Sequence, residues 1–333
     1  MVDFTSASYL GFEHRQEELE PWTTLSTGKP AELWEPEPAR RLAAELAELQ
    51  GCEAGLIAPS TLHLFWDVPG WAARAGMEVF VDAGAYPIGV SMVPAAVRFR
   101  HRDVNDLELQ LRGRGRPLVL VDGFCPVCQA IFPFADLLAC VRRAGGLVLV
   151  DDTQALGIFG SPGGGLPYGR GGGGSLRHAG LEREDGVLAI SSLAKAFGAP
   201  LAVLVGPARR VRQFAEVSRS RIHCSPPSMA AVAAGLAALD RNRREGDRRR
   251  KTLAALVARL KPRRGLFPYQ IFGHSKARQL HRTLLAEGME TVLLTGQPEK
   301  LGIAIMARHQ PSGIDALTRR ISLFLEEPCL ACS

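Results

Sequence analysis

The chain has 333 residues, a length typical of two domains in one polypeptide. Hydrophobic residues make up 46% and charged residues 22%, a globular composition that excludes a disordered or collagen-like chain. The 40 basic and 34 acidic residues give a net charge of +6, and much of the excess lies in one run at 241–251. Such a run is typical of a solvated helix face, so nucleic-acid binding is not expected.

No stretch of about 18 uncharged apolar residues and no basic-then-apolar leader is present, so we expect a cytoplasmic protein without a membrane partner. Seven cysteines, an odd number, favour reduced thiols. Two CxxC pairs, Cys125 with Cys128 and Cys329 with Cys332, could together form a four-thiolate zinc site. Because about 200 residues separate the pairs, ordinary thiols are the simpler interpretation, and the sequence assigns no metal site.

The first part of the chain predicts an amphipathic helix followed by a sheet. The helix covers 35–51, with leucines at helical spacing and Gly51 at its end. Short continuous apolar runs at 77–84, 117–123, 146–152, 186–192 and 199–206 are typical of strands covered on both faces. A helical pattern around 137–141 separates the second run from the third. Strand, helix and strand in this order predict a parallel α/β sheet.

The last third of the chain has a different pattern. A helix is predicted at 226–242, then strands at 267–273, 291–295 and 301–307 and helices at 277–287 and 314–325. This β-α-β-β-α order predicts a small α+β domain. The expected organisation is an N-terminal arm (1–27) packed on the small domain, a large domain (28–225) and the small C-terminal domain (226–333).

Two charged residues follow the buried strands where the strands end. Asp151 lies at the end of the run at 146–152, and Lys195 lies among small residues after the run at 186–192. A lysine beside alanine and glycine is expected to be desolvated, which lowers its pKa and makes it a nucleophile toward an aldehyde. A carboxylate at a neighbouring strand end would keep a pyridinium nitrogen protonated, as a pyridoxal phosphate site requires.

A turn near residue 60 is a candidate phosphate site. Ser60 and Thr61 stand at the start of an apolar helical stretch, where free backbone N–H groups and hydroxyls bind phosphate. Ser192, three residues before Lys195, is a second candidate. Taken alone, the Pro-Ser-Thr turn is more typical of an ordinary helix N-cap.

The order of these pieces resembles the α-oxoamine synthase group (8-amino-7-oxononanoate synthase-like) of fold-type I pyridoxal phosphate enzymes, within the class I/II aminotransferase superfamily. The resemblance rests on the tyrosine-leucine-glycine motif at 9–11, VDDTQALG at 150–157 and SSLAKAFG at 191–198. It implies a three-layer α/β/α large domain with a small α+β domain, a pyridoxal 5′-phosphate cofactor and a homodimer.

Carried over by position, the resemblance makes Lys195 the residue that binds the cofactor aldehyde and Asp151 the partner of the pyridine nitrogen. Tyr86 would stack on the ring and Gln154 would hydrogen-bond the phenolic oxygen, each in place of a family histidine. The phosphate would be held by residues of three segments, the last reaching across the dimer: Ser60, Thr61 and Leu62, Ser192, and Ser225.

Two departures from the family bear on the reaction. Tyr86 lacks the acid/base function of the histidine it replaces. The family's carboxylate-binding arginine falls near 290–294, where Glu290 stands and no arginine does, although Arg308, in a predicted strand, could substitute.

The expected reaction joins an amino acid or amine-type substrate to an acyl thioester of coenzyme A or of an acyl carrier protein. The missing arginine would suit a substrate without a free α-carboxylate. Two alternatives stay open: a pyridoxal phosphate-dependent aminotransferase, in which Lys195 alone moves the proton, and a catalytically diverged, non-enzymatic relative.

Overall fold

The structure is a computed structural model that describes residues 1–26, 28–262 and 265–326, with side chains through Phe324. The strands are, in chain order, β1 (Val2–Asp3), β2 (Ala54–Ala58), β3 (Met77–Asp82), β4 (Val97–Phe99), β5 (Arg116–Asp122), β6 (Phe124–Cys125), β7 (Ala130–Ile131), β8 (Leu147–Asp151), β9 (Val187–Ser192), β10 (Ala202–Gly206), β11 (Tyr269–Gly273), β12 (Met289–Glu290), β13 (Val292–Leu294) and β14 (Lys300–Ala304). The α-helices are α1 (Glu37–Gln50), α2 (Thr61–Arg74), α3 (Pro87–Met92), α4 (Val104–Leu111), α5 (Phe134–Arg143), α6 (Gly174–His178), α7 (Ala208–Ala215), α8 (Arg219–His223), α9 (Met229–Arg259), α10 (Ala277–Ala286) and α11 (Pro311–Glu326).

A seven-stranded sheet in the order β2-β10-β9-β8-β5-β3-β4 forms the centre of the protein. Its strands include the five apolar runs predicted from the sequence. Side chains alternate between two separate cores: along β8, Val148 and Val150 pack in one core, and Leu147 and Leu149 pack in the other. Helices cover both faces, which confirms the predicted three-layer α/β/α class.

The prediction of a wholly parallel sheet was wrong for one strand. β10 runs antiparallel to both of its neighbours, β2 and β9, whereas β9, β8, β5, β3 and β4 pair in parallel. The cause is the length of the connection. The segment 193–201 between β9 and β10 is shorter than the dozen or more residues that a parallel crossover needs.

The observed end agrees with the predicted end for one helix, α1, and differs from it for another, α9. Helix α1 ends where expected, at Gly51, which has a φ of 76° in the left-handed region that glycine adopts most easily. Helix α9 was predicted too short, because the basic run at 241–251 continues the same helix to Arg259. Most of that run is at least partly exposed, as expected, but Arg250 is buried and pairs with Asp247.

The C-terminal part forms a second, three-stranded sheet in the order β11-β14-β13, with α10 and α11 beside it. This is the β-α-β-β-α order that the sequence predicts. The N-terminal arm pairs with the C-terminal part in a separate two-stranded sheet, in which β1 runs parallel to β12 with Val2 opposite Met289. Since α9 contacts both α1 and α11, the boundary near 226 stays a prediction. None of the described helices combines the length and hydrophobicity that a bilayer-crossing segment needs.

Candidate active site

Three aspartates mark the carboxyl-terminal edge of the central sheet. Asp82, Asp122 and Asp151 are the last residues of β3, β5 and β8, which are neighbours in the sheet. Asp122 and Asp151 are direct register partners. Lys195 follows the next strand, β9, by three residues. Because parallel strands end at the same edge, these charged groups converge there, and such an edge is where α/β proteins place their ligand sites.

Lys195 lies in the tight connection between β9 and β10. Its Nζ is 5.6 Å from the centroid of the Tyr86 ring, in the range of a cation–π contact. Burial lowers the pKa of Lys195, and the negative charges of Asp151 and Asp122 oppose that shift. The structure therefore brings Lys195, Tyr86 and Asp151 together, and it desolvates the lysine as the small neighbouring residues suggest.

The adjacent aspartates Asp151 and Asp152 face different surroundings. Asp151 is 8% exposed, and its Oδ1 accepts a hydrogen bond of 3.0 Å from the Thr153 N–H. Burial raises the pKa of Asp151, whereas the Thr153 hydrogen bonds and Lys195 oppose the rise. Asp152 accepts hydrogen bonds from the backbone N–H and hydroxyl of Ser175. Burial raises the pKa of Asp152 to about 7.

Asp122 is a site residue that the sequence analysis missed. Its Oδ1 accepts a hydrogen bond of 3.1 Å from the Tyr86 N–H, so it positions the segment that carries the aromatic ring. Burial and the nearby charge of Asp151 raise the pKa of Asp122 to about 8. The sequence contains a signal that could have identified it, because Asp122 follows the apolar residues of its strand in the same way as Asp151.

Two further contacts connect distant segments to the site. The hydroxyl of Tyr9, which is 1% exposed, donates a hydrogen bond of 2.9 Å to Gln154 Oε1. The tyrosine-leucine-glycine motif therefore reaches the segment that follows β8. The Ser192 N–H donates to Thr153 Oγ1 over 3.1 Å, which ties the end of β9 to the same segment. Neither contact could be predicted from the spacing of residues in the sequence.

The candidate phosphate turn lies at the same edge of the sheet. Ser60 is the N-cap of α2, but its side chain makes no capping bond and its Oγ lies 2.9 Å from His63 Nδ1. The first turn of α2 contains no acidic residue. Ala202 of β10 pairs with Ala58 at the end of β2 on one side and with Ser192 at the end of β9 on the other. Because neighbouring strands lie about 4.8 Å apart, the end of β2 is two strand spacings, or about 10 Å, from Ser192.

The remaining predicted phosphate ligands differ in exposure. Thr61 is half-buried as the first residue of α2, and Leu62, which follows it, is exposed. Ser225 is exposed in the segment between α8 and α9.

The segment 290–294 holds Glu290 in β12 and Val292–Leu294 in β13, without a cationic side chain. The expectation that Arg308 lies in a strand was wrong, because β14 ends at Ala304. Arg308 follows in a turn and is exposed, with its Nη1 2.5 Å from Glu13 Oε1. Its charge is therefore already paired.

The residues present fit pyridoxal phosphate. The donor set comprises an amine of lowered pKa, a buried carboxylate beside it and an aromatic ring that faces the amine. The start of α2 adds backbone N–H groups that no side chain caps. Lys195 would bind the aldehyde, Asp151 the ring nitrogen and the turn at Ser60 the phosphate.

Comparison with known proteins bears directly on these expectations. Residues 86–321 match the family model of aminotransferase class I and II. The chain belongs to this family. It is 30% identical over 224 residues to 8-amino-7-oxononanoate synthase of Halorhodospira halophila, across 66% of this chain and 53% of the relative. It is 28% identical over 254 residues to the enzyme of the same name from Mycobacterium bovis, across 72% and 62%. These relatives support the predicted α-oxoamine synthase group, although the chain spans little more than half of their length.

Solved structures agree on the fold. Serine palmitoyltransferase of Sphingomonas wittichii superposes with a TM-score of 0.81 at 17% identity, covering 96% of this chain and 86% of that one. 8-Amino-7-oxononanoate synthase of Francisella tularensis superposes with a TM-score of 0.76 at 14% identity, covering 98% of both chains. The predicted fold class is confirmed.

Proposed function

We propose that this protein is a pyridoxal phosphate-dependent transferase of the α-oxoamine synthase type. It would condense an amino acid or amine-type substrate with an acyl thioester of coenzyme A or of an acyl carrier protein. The observation that carries the proposal is the position of Lys195, desolvated, with its Nζ 5.6 Å from the Tyr86 ring centroid and close to Asp151. The relatives named 8-amino-7-oxononanoate synthase support the same reaction class.

Each residue of the site has a defined task in this proposal. The cofactor, when bound, withdraws electrons from the bond that breaks at the substrate Cα. Lys195 would hold the cofactor aldehyde until the substrate amine displaces it, and its freed amine would then move the Cα proton. Its lowered pKa favours the neutral amine that this task needs. Asp151 would keep the proton on the ring nitrogen. Asp122 accepts a hydrogen bond from the Tyr86 N–H, which would hold the aromatic ring in position to stack on the cofactor ring.

The proposal includes a cytoplasmic homodimer. Support for the dimer comes from an exposed apolar patch beside the phosphate turn, where Leu62 is 45% exposed and Trp66 is 60% exposed. A cavity of about 610 Å³ lies against these residues and is also lined by Met92 and by residues of α8. A second copy would cover this patch and bring its Ser225 toward the phosphate. Apolar patches of this kind mark protein interfaces.

The test is cofactor binding by the purified chain. Addition of pyridoxal phosphate should produce the visible absorbance of a lysine-bound cofactor, and borohydride reduction should attach the cofactor to the peptide that contains Lys195. K195A should lose both signals, whereas K251A, which changes an exposed lysine of α9, should keep them. A chain that stays colourless, or that is labelled elsewhere, would contradict the proposal and favour the non-enzymatic alternative.

Amino transfer is the second candidate, because Tyr86 stands where the resemblance places the acid/base histidine of the condensation, and Lys195 alone can move the proton in amino transfer. The two reactions leave different products. Condensation releases the free thiol of the acyl carrier in step with loss of the amino substrate, whereas amino transfer leaves the thioester intact and yields a keto acid. Thiol release measured with and without each amino substrate decides between them.

A further inference from the structure

One half of the cysteine pattern becomes part of a three-residue cluster in the fold. His101 follows β4, Cys125 ends β6, and Cys128 lies in the turn between β6 and β7. The imidazole nitrogen and the two sulfurs all lie within 4.8 Å of one another. The other pair, Cys329 and Cys332, lies outside the described residues.

We propose that His101, Cys125 and Cys128 bind a thiophilic divalent metal ion, Zn²⁺, with a fourth position open to solvent or to an added ligand. One imidazole nitrogen and two thiolates form a donor set that selects zinc over the hard cations. Two ligands that are each 2.0–2.3 Å from a tetrahedral ion stand about 3.5 Å apart. His101 Nε2 and Cys128 Sγ are 3.3 Å apart.

The histidine is already oriented for this task. Its Nδ1 lies 2.7 Å from Oδ1 of Asp82, which is 1% exposed. The Asp82 carboxylate is itself held by the backbone N–H groups of Gly84, at 2.6 Å, and Arg102, at 2.9 Å. An Nδ1–H that is bound to a carboxylate leaves the Nε2 lone pair toward Cys128. A carboxylate behind a histidine is the usual support of a zinc ligand.

The hairpin positions the sulfurs. The Cys128 N–H donates to Cys125 Sγ over 3.3 Å, and the Gln129 N–H donates to the Cys125 carbonyl over 2.8 Å. Gln129 has a φ of 57°, in the left-handed region, so the chain turns directly after Cys128. Both sulfurs lie within 4.8 Å of a His101 ring nitrogen. Binding of one Zn²⁺ would release the two thiol protons to solvent.

The position of the cluster suggests what the ion does. Pro126, Val127 and Gln129 of the hairpin line a cavity of about 330 Å³ together with residues of β11 and α10. Asp82, behind His101, stands four residues before Tyr86. An ion at the cluster would therefore fasten the cavity-lining hairpin to the segment that leads to the candidate active site.

The experiment measures metal in the full chain, purified without a polyhistidine tag and dialysed against zinc. Elemental analysis should give about one zinc per chain, and the X-ray absorption of the bound zinc should show two sulfur ligands at about 2.3 Å and one nitrogen ligand at about 2.0 Å. C125S/C128S and H101Q should each lose the ion. D82N, which acts through His101, should weaken zinc affinity about 10–100-fold.

Matched controls separate this site from other thiols. C52S/C224S, which changes two other partly exposed cysteines, and C329S/C332S should both keep one zinc per chain. A chain without zinc, zinc with a different ligand set, or a disulfide between Cys125 and Cys128 in freshly isolated protein would overturn the proposal. Zinc that is retained by C125S/C128S would do the same. Because the absorption spectrum is recorded on the unmodified chain, the proposal can fail even if a variant does not fold.

Discussion

Asp122 and Asp151 are register partners on the adjacent parallel strands β5 and β8, and both carboxylates act on Lys195. Burial raises the pKa of both carboxylates above the ordinary value for aspartate, that of Asp122 to about 8. Together with Lys195, they form a buried cluster in which removal of one charge changes the protonation of the others.

The first prediction concerns Asp122. Its negative charge opposes the lowering of the Lys195 pKa, so D122N should lower that pKa further. In the cofactor-free protein, the pH at which borohydride fixes an added aldehyde to Lys195 at half its maximal rate should shift downward. D136N, a change of an exposed carboxylate on α5, should leave the midpoint where it is. An upward shift in D122N would contradict the assigned interaction.

The second prediction compares Asp151 with Asp152. D151A should weaken cofactor binding and reduce turnover by about 10²–10⁴-fold, which corresponds to about 3–5 kcal/mol of barrier. D152N should retain most of the turnover, since Asp152 bonds to Ser175 rather than facing Lys195. Steady-state rates and cofactor titrations of both variants make the measurement. Equal losses would mean that the two side chains have been assigned to the wrong surroundings.

The third prediction is a pH dependence of stability. The pKa of Asp152 is about 7 in the folded chain, well above the ordinary value for aspartate, so the folded state binds a proton that the unfolded state has released. The contribution of Asp152 to the free energy of unfolding should therefore fall as pH rises from about 4 to about 7. D152N should reduce that fall by about 1–4 kcal/mol, because an amide keeps the Ser175 contacts without ionising. Urea denaturation of the cofactor-free chain and of D152N at several pH values across this window makes the measurement. If the free energy of unfolding had the same pH dependence in both proteins, the prediction would be refuted.

The fourth prediction tests the proposed dimer. W66E places a charge in the exposed apolar patch and should convert the protein from twice 36.0 kDa to the mass of one chain. Light scattering after size exclusion gives the masses. L285E, which changes a leucine on α10 that is 45% exposed, is the control for a charge placed on another exposed apolar residue and should stay dimeric. A wild-type chain that elutes as a monomer at micromolar concentration would refute the dimer itself.

The fifth prediction concerns the substrate. A bidentate hydrogen bond from an arginine to the substrate carboxylate is worth roughly 2–3 kcal/mol. Because no arginine stands at 290–294, free glycine or alanine should bind about one to two powers of ten more weakly than it would to a site with that arginine. Amides and thioesters of the same amino acids should not carry this loss. R308A should leave all affinities unchanged, because Arg308 already pairs with Glu13. Titrations followed by the visible cofactor band give the affinities, and tight binding of free glycine would contradict the inference.

Local patterns were enough to predict the five apolar strands of the central sheet, helix α1 and two candidate site residues, Asp151 and Lys195. A continuous apolar run such as 146–152 indicates a strand that is buried on both faces, whichever strands lie beside it. Therefore β8 could be predicted without knowledge of its neighbours in the sheet. Asp151 and Lys195 were proposed as site residues in the same way, because both are defined by their distance from the end of an apolar run. Gly51 ended its helix as predicted, since a left-handed C-cap depends on a single residue.

The sequence by itself therefore determined the layered α/β class, the lysine and the strand-end carboxylate, because each depends on residues close together in the chain. Only the tertiary structure decided that Asp122 accepts a hydrogen bond from the Tyr86 backbone and that Arg308 forms an ion pair with Glu13. It also decided that His101 meets Cys128 while its ring nitrogen contacts Asp82. These relationships join segments 19 to 295 residues apart. The physical reason is that hydrogen bonds and ion pairs over such separations form only after packing has fixed the strand order.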